Sequence, residues 1–141
     1  MDKKDFKIVE MLRQNARIPF TEIAKKTGTS EATIRKRARN LEEKGVIKGY
    51  TIIVDPAKLG FNIVSIVGFD VDPAKFLEIA RRLTEFKEIK YVATSTGDHM
   101  IMTEIWTKNT ADLAYFLQKI GKVEGIKKIC PAIITEKLKE I

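Results

Sequence analysis

The chain has 141 residues, 44% hydrophobic and 32% charged, which fits one globular domain or two small ones with a real core. Its net charge of +7 is lopsided: residues 1–50 hold 13 Lys+Arg against 7 Asp+Glu, while residues 51–141 hold 13 against 12. No apolar run approaches the ~20 residues of a membrane span, the N-terminus lacks a signal-peptide pattern, and the single Cys130 cannot close an internal disulfide, so a cytoplasmic protein is expected.

Three helices are expected before residue 46. The first runs from about Asp2 to Gln14, with Phe6, Ile8, Val9 and Leu12 along one face. Pro19 disfavours helix at Ile18 and ends the segment. The second starts at Thr21, a candidate N-cap, turns Ile23 and Ala24 inward and stops at Gly28. The third starts after a second candidate cap, Ser30, and runs to about Lys44, with Gly45 placed to end it. Short helix, tight turn and longer helix is helix-turn-helix spacing. A small Ala24 allows close helix approach, Gly28 accepts a left-handed turn, and Ile34 fills the angle between the helices.

On the third helix, Ile34, Ala38 and Leu41 form the buried stripe. At 100° per residue, Ala32, Thr33, Arg35, Lys36, Arg39 and Asn40 take the outward arc. Arg37 falls at the boundary, where it pairs with a carboxylate or reaches a phosphate. Taken alone, a basic helix face is a solvated surface. Inside a helix-turn-helix with a basic surplus it reads as a groove-reading helix, because Arg suits guanine edges and phosphates and Asn suits adenine edges. The candidate contacts to double-stranded promoter DNA are Ser30, Thr33, Arg35, Lys36, Arg39 and Asn40, flanked by Lys25, Lys26 and Arg17.

Residues 45–61 leave this unit through an apolar, β-branched run expected to be a strand at about Tyr50–Val54, followed by a "DPAKLG" turn. Strand edges in a linker favour pairing with a second chain. Beyond residue 60 the pattern alternates: strand 61–72, helix 73–86 carrying Phe76, Leu77, Ile79, Ala80 and Leu83, hairpin 88–107, helix 110–125 and strand 126–138. Pro131 places that last strand at an edge or a bulge. The order βαββαβ is the ferredoxin-like split βαβ. The expected class is therefore α+β, with a helix-turn-helix (winged-helix-like) domain at 1–48, a linker strand and turn at 49–60 and a ferredoxin-like sandwich at 61–141.

Enzyme chemistry has little to stand on. There is one His and one Cys, and no metal-ligand spacing. Asp98 and His99 are adjacent in a turn with no nucleophile placed beside them. Cys130, Met100, Met102 and Trp106 read as strand packing. A metabolite-binding regulator whose helical domain contacts protein rather than DNA stays open as an alternative.

The stretch "FTEIAKKTGTSEATIRKRARNLEEKGVIKGY" is similar to the DNA-binding domain of the Lrp/AsnC (feast/famine) regulators, and "TSTGDHMIMTEIW" resembles that family's turn-and-strand signature. The resemblance spans essentially the whole chain, and the "GDHMIM" turn and "CPAII" strand look closest to archaeal members. It implies a C-terminal effector and assembly (RAM) domain, homodimers that commonly assemble to octamers, and promoter binding, frequently at the regulator's own gene as a repressor. It implies no cofactor. In many members an amino-acid effector sits near the turn that is here Gly97, Asp98, His99 and Met100. Most members carry Tyr and then Asp where this chain has His99 and Met100. A partner for an α-amino group is missing, so a weak or absent response to simple amino acids is expected.

Overall fold

Asp2 opens the fold with a reciprocal cap. Its carboxylate accepts from the Asp5 N–H at 3.0 Å, and the Asp5 carboxylate accepts from the Asp2 N–H at 3.1 Å. Two free donors at the start of helix α1 (Lys3–Gln14) are thereby satisfied. The computed structural model describes residues 1–141, which form two compact units, Met1–Val54 with Lys139–Ile141, and Asp55–Leu138.

In the first unit, α2 (Phe20–Thr27) and α3 (Glu31–Glu43) follow α1. Helix α2 begins one residue earlier than the Thr21 cap expected from sequence. Pro19 stands at the cap position with φ −64° and ψ 143°, and no side chain caps the helix. The fixed φ of proline supplies the extended entry that a capping hydroxyl would otherwise stabilise. Gly28 ends α2 at φ 66°, and Gly28 and Thr29 both donate to the Ala24 carbonyl. Ser30 caps α3 by accepting from the Thr33 N–H at 3.2 Å. Ile8, Leu12, Ile23, Ala24, Ile34 and Leu41 form the core of this unit, with Ala38 also buried.

After α3, residues 48–55 carry no strand within the single chain, and Tyr50, Ile52 and Ile53 are exposed. A β-branched run supplies strand propensity, but a ladder needs a second strand and this unit has none. The Tyr50 hydroxyl donates to Glu42 Oε1 at 2.7 Å. Partial desolvation of the phenol, then this bond, push it up to about 12.

The second unit follows the βαββαβ order: β1 (Ile63–Val71), α4 (Phe76–Leu83), β2 (Ile89–Thr94), β3 (Ile101–Thr107), α5 (Thr110–Gly121) and β4 (Ile126–Ile133). All pairings are antiparallel in the order β2-β3-β1-β4, so β4 is an edge strand, as Pro131 requires. Several ends are shorter than expected: β4 stops at Ile133, α5 at Gly121, and the Pro73–Lys75 stretch is a 3-10 turn that precedes α4. Leu77 is 62% exposed, so it does not join the core with Ile79, Ala80 and Leu83.

One face of the sheet is covered by α4 and α5. Val67, Phe69, Val71, Ile101 and Ile105 meet Leu83, Leu113, Phe116 and Ile120 there. The alternate residues, including Val64, Ile66, Met102 and Trp106, lie half-buried on the opposite face, as the period of two in a strand dictates.

Candidate nucleic-acid interface

The outward arc of α3 is fixed by what seats the helix. Ile34, Ala38 and Leu41 face the core, with at most 1% of their surface exposed, which leaves Ala32, Arg35, Lys36, Arg39 and Asn40 exposed on the other side. Arg37 belongs to neither set. Its Nη1 lies 2.8 Å from Asp2 Oδ2 and 2.9 Å from Asp5 Oδ1, binding α3 to the cap of α1. The bond from the Asp5 N–H, then the Arg37 guanidinium, hold the Asp2 carboxyl down at about 2. Asp5 is lowered by the Asp2 N–H and then by Arg37, and Arg37 is raised in turn by the two carboxylates. The sequence places Arg37 at a boundary but does not identify these partners. The signal was there in Asp2 and Asp5, three residues apart at a helix start.

The remaining candidates differ in how free they are. Arg35 is engaged locally: Nη2 is 2.6 Å from Glu31 Oε1, and its guanidinium lies 5.5 Å from the Phe20 ring centroid. Lys26 pairs with Glu22 at 3.2 Å. Both pairs are solvent-exposed i,i+4 contacts worth about 0.3–0.5 kcal/mol, which a phosphate readily replaces. Lys25, Lys36, Arg39 and Arg17 are exposed and carry no ion pair. The Ser30 and Thr33 hydroxyls are 2.9 Å apart and hydrogen-bonded to each other. Their first role is to cap the helix, and Thr33 is half-buried. Arg35, Lys36, Arg39 and Asn40 thus share one exposed arc, with Ser30 and Thr33 at its N-terminal end.

The turn in the second unit does not gather its four candidates. Gly97 adopts φ 103°, and Asp98 is exposed. His99 folds inward instead. Its ring lies over Gly68, where an added Cβ would meet His99 Cδ2 at 2.5 Å. Nδ1 is buried and 3.5 Å from Asp70 Oδ1, too far for a good hydrogen bond, and has no other partner. Met100 packs against the core and donates from its N–H to the Phe69 carbonyl at 3.1 Å. The Ser95 hydroxyl donates to the His99 carbonyl at 2.5 Å, tying the turn across its base. Asp98 and His99 therefore do not form a catalytic pair. No group of three or more His, Cys, Asp or Glu is arranged to hold a metal, and no helix is long and apolar enough to cross a membrane.

Residues 1–48 match the family described as winged helix-turn-helix DNA-binding, and residues 64–141 match the Lrp/AsnC ligand binding domain. The chain is 52% identical over 140 residues to the HTH-type transcriptional regulator LrpA of Pyrococcus horikoshii, covering 99% of both. It is 38% identical to the HTH-type transcriptional regulator FL11 of Pyrococcus furiosus, covering 99% of this chain and 93% of that one. Among solved structures, E. coli AsnC superposes with a TM-score of 0.86 at 25% identity, covering 100% of this chain and 96% of the other. With a helix-turn-helix unit followed by a ligand-binding βαββαβ unit, the chain belongs to the Lrp/AsnC family of DNA-binding transcriptional regulators.

Proposed function

We propose that the chain binds promoter DNA, including that of its own gene, as a homodimer that assembles further to an octamer. The observation that carries the reading is the exposed arc of α3, on which Lys36 and Arg39 are free of ion pairs while Arg37 is withdrawn into the scaffold. Helix α3 enters the major groove. Arg35, Lys36, Arg39 and Asn40 contact base edges and phosphates, Ser30 and Thr33 sit at the entering end, and Lys25, Lys26 and Arg17 flank the backbone. A dimer reads two half-sites about one helical turn, ~10 bp, or a multiple of it apart. Exposed Tyr50, Ile52 and Ile53, with half-buried Val64, Ile66 and Met102 on the sheet face, are the surfaces a second copy covers.

Two measurements test this. If about six phosphates are neutralised per dimer, log K falls with log salt at a slope of about −5. Affinity independent of salt would reject the electrostatic account. Arg39→Ala is expected to cost about 1–3 kcal/mol on the cognate duplex and to reduce discrimination against a scrambled one. Unchanged binding to both would mean that another face reads the DNA.

For the Gly97–Met100 turn, the reading is a weak or absent response to simple amino acids. Asp98 stands alone there, with His99 and Met100 turned to the sheet. Micromolar affinity for an amino acid by calorimetry would overturn it.

A further inference from the structure

The far end of the second unit holds a recess that neither the DNA-binding face nor the Gly97–Met100 turn uses. It holds about 420 Å³ between the end of β3, the segment entering β2 and the side of α5 that carries Asp112, Tyr115, Phe116 and Lys119. Small-molecule pockets are generally about 300–1,000 Å³. Trp106 and Thr107 finish β3, whereas the turn precedes Ile101. At about 3.3 Å per residue the recess lies roughly 20 Å along the strand from the turn.

Its walls are aromatic. Phe61 and Trp106 pack with ring centroids 5.9 Å apart at 50°, and Tyr115 and Phe116 come from α5. Its charge is one-sided. Lys87, Lys90, Lys108 and Lys119 line it against only Glu88 and Asp112. None of these lysines forms an ion pair with a carboxylate, unlike Lys75 and Lys137 in the same unit. The Lys90 ammonium lies 5.6 Å from the Phe61 centroid and 5.4 Å from that of Trp106, and Lys119 lies 5.8 Å from that of Phe86. Ring faces hold these cations in place without neutralising them. An excess of positive charge held beside apolar rings fits a ligand with a negative group at one end and a flat apolar body at the other.

We propose that this recess binds a small organic anion with a planar aromatic body, of the aryl-carboxylate class. The ring lies against Trp106 and Tyr115, and the carboxylate meets Lys90 and Lys119. The four lysines outnumber Glu88 and Asp112, so the recognition rests on the negative group of the ligand.

Trp106 is the only tryptophan in the chain, so its indole N–H gives one assigned NMR signal at the site itself. The full chain is titrated with phenylacetate, with phenylacetamide of the same shape and no charge, and with phenethylamine of opposite charge. Phenylacetate is expected to shift the Trp106 signal saturably, and the other two to bind at least tenfold more weakly. Lys90→Gln combined with Lys119→Gln is expected to weaken phenylacetate at least tenfold, while Lys90→Arg retains it. The backbone amide signals of Phe69 and Ile101, in the core and away from the substituted lysines, report whether the unit is intact in each variant. Asp98→Asn is expected to leave the titration unchanged. No saturable shift, equal binding of the amide, insensitivity to the double substitution, or loss of binding in Asp98→Asn would each overturn the proposal.

Discussion

The two units reach stability by different means. The second has a continuous sheet with a core between the sheet and its helices, from Phe69 and Ile105 to Phe116 and Ile120. The first has half as many clustered core residues and no sheet. A unit of about 50 residues buries a small share of its surface and is marginal by nature. It compensates at the helix ends, with the Asp2–Asp5 cap, the Ser30 cap and the Arg37 bridge to both carboxylates. Polar contacts at the helix ends therefore supplement the small core of the first unit, whereas the sheet unit also carries hydrogen bonds in its interior, from Thr103 to the Val67 carbonyl and from Ser65 to the Ile105 carbonyl. The helix-end contacts are why basic residues of similar appearance on α3 have different roles.

Unit-resolved hydrogen exchange is the natural way to sharpen this contrast. The largest effects belong to the cores. Phe69→Ala should cost about 3–5 kcal/mol and Ile34→Ala about 2–5 kcal/mol. Only Ile34→Ala should melt its own unit outright and abolish DNA binding. If both units lose protection together in either variant, they are not independent in stability.

Gly68→Ala comes next. The new methyl would overlap the His99 ring at 2.5 Å, and overpacking of this kind costs about 1–3 kcal/mol unless the ring swings out. The His99 imidazole resonances should move while the core exchange rates stay near those of the wild type. Unmoved resonances would mean that the ring does not lie over β1.

Arg37→Ala should lower the melting temperature of the first unit more than Arg35→Ala does. Arg37 joins two helices, while Arg35 makes an exposed pair within one. Equal effects would mean that the two arginines contribute alike to the stability of the unit.

The smallest effect is in acid. The Asp2 carboxyl titrates at about 2 in the fold against 3.8 when free, and Asp5 is lowered as well. A depressed carboxylate stabilises above its unfolded pKa, and that contribution is lost as pH falls from about 4 towards about 2. The first unit should weaken in this window, and Asp2→Asn should flatten the dependence. An unaltered profile would place the acid sensitivity elsewhere.

Much of this was legible in sequence where local chemistry decides. Ser30 and Gly28 announce the turn before α3, and Pro131 announces an edge strand. The Ile34–Ala38–Leu41 stripe orients the helix. Sequence reasoning failed where the outcome depends on groups distant in the chain. Thr21 looks like a cap, but Pro19 had already set the entry to α2. Residues 50–54 have strand composition, and the single chain offers them no second strand to pair with. At the Gly97–Met100 turn, chain neighbours look like one site. The inward turn of His99 follows from the space that Gly68 leaves on another strand, which no local pattern records.

The Arg37 bridge has a geometric consequence. A helix seated by three side chains on one face can still roll about its axis. A tie from its flank to a neighbouring helix opposes that rotation. At a side-chain radius of about 6 Å, a roll of only about 5° moves an outward group by about 0.5 Å, the tolerance within which a binding constellation stays productive. Arg37 and the Asp2–Asp5 pair act as an angular index for α3. They set the azimuth at which Arg35, Lys36, Arg39 and Asn40 are presented, so a residue outside the exposed arc decides where that arc points.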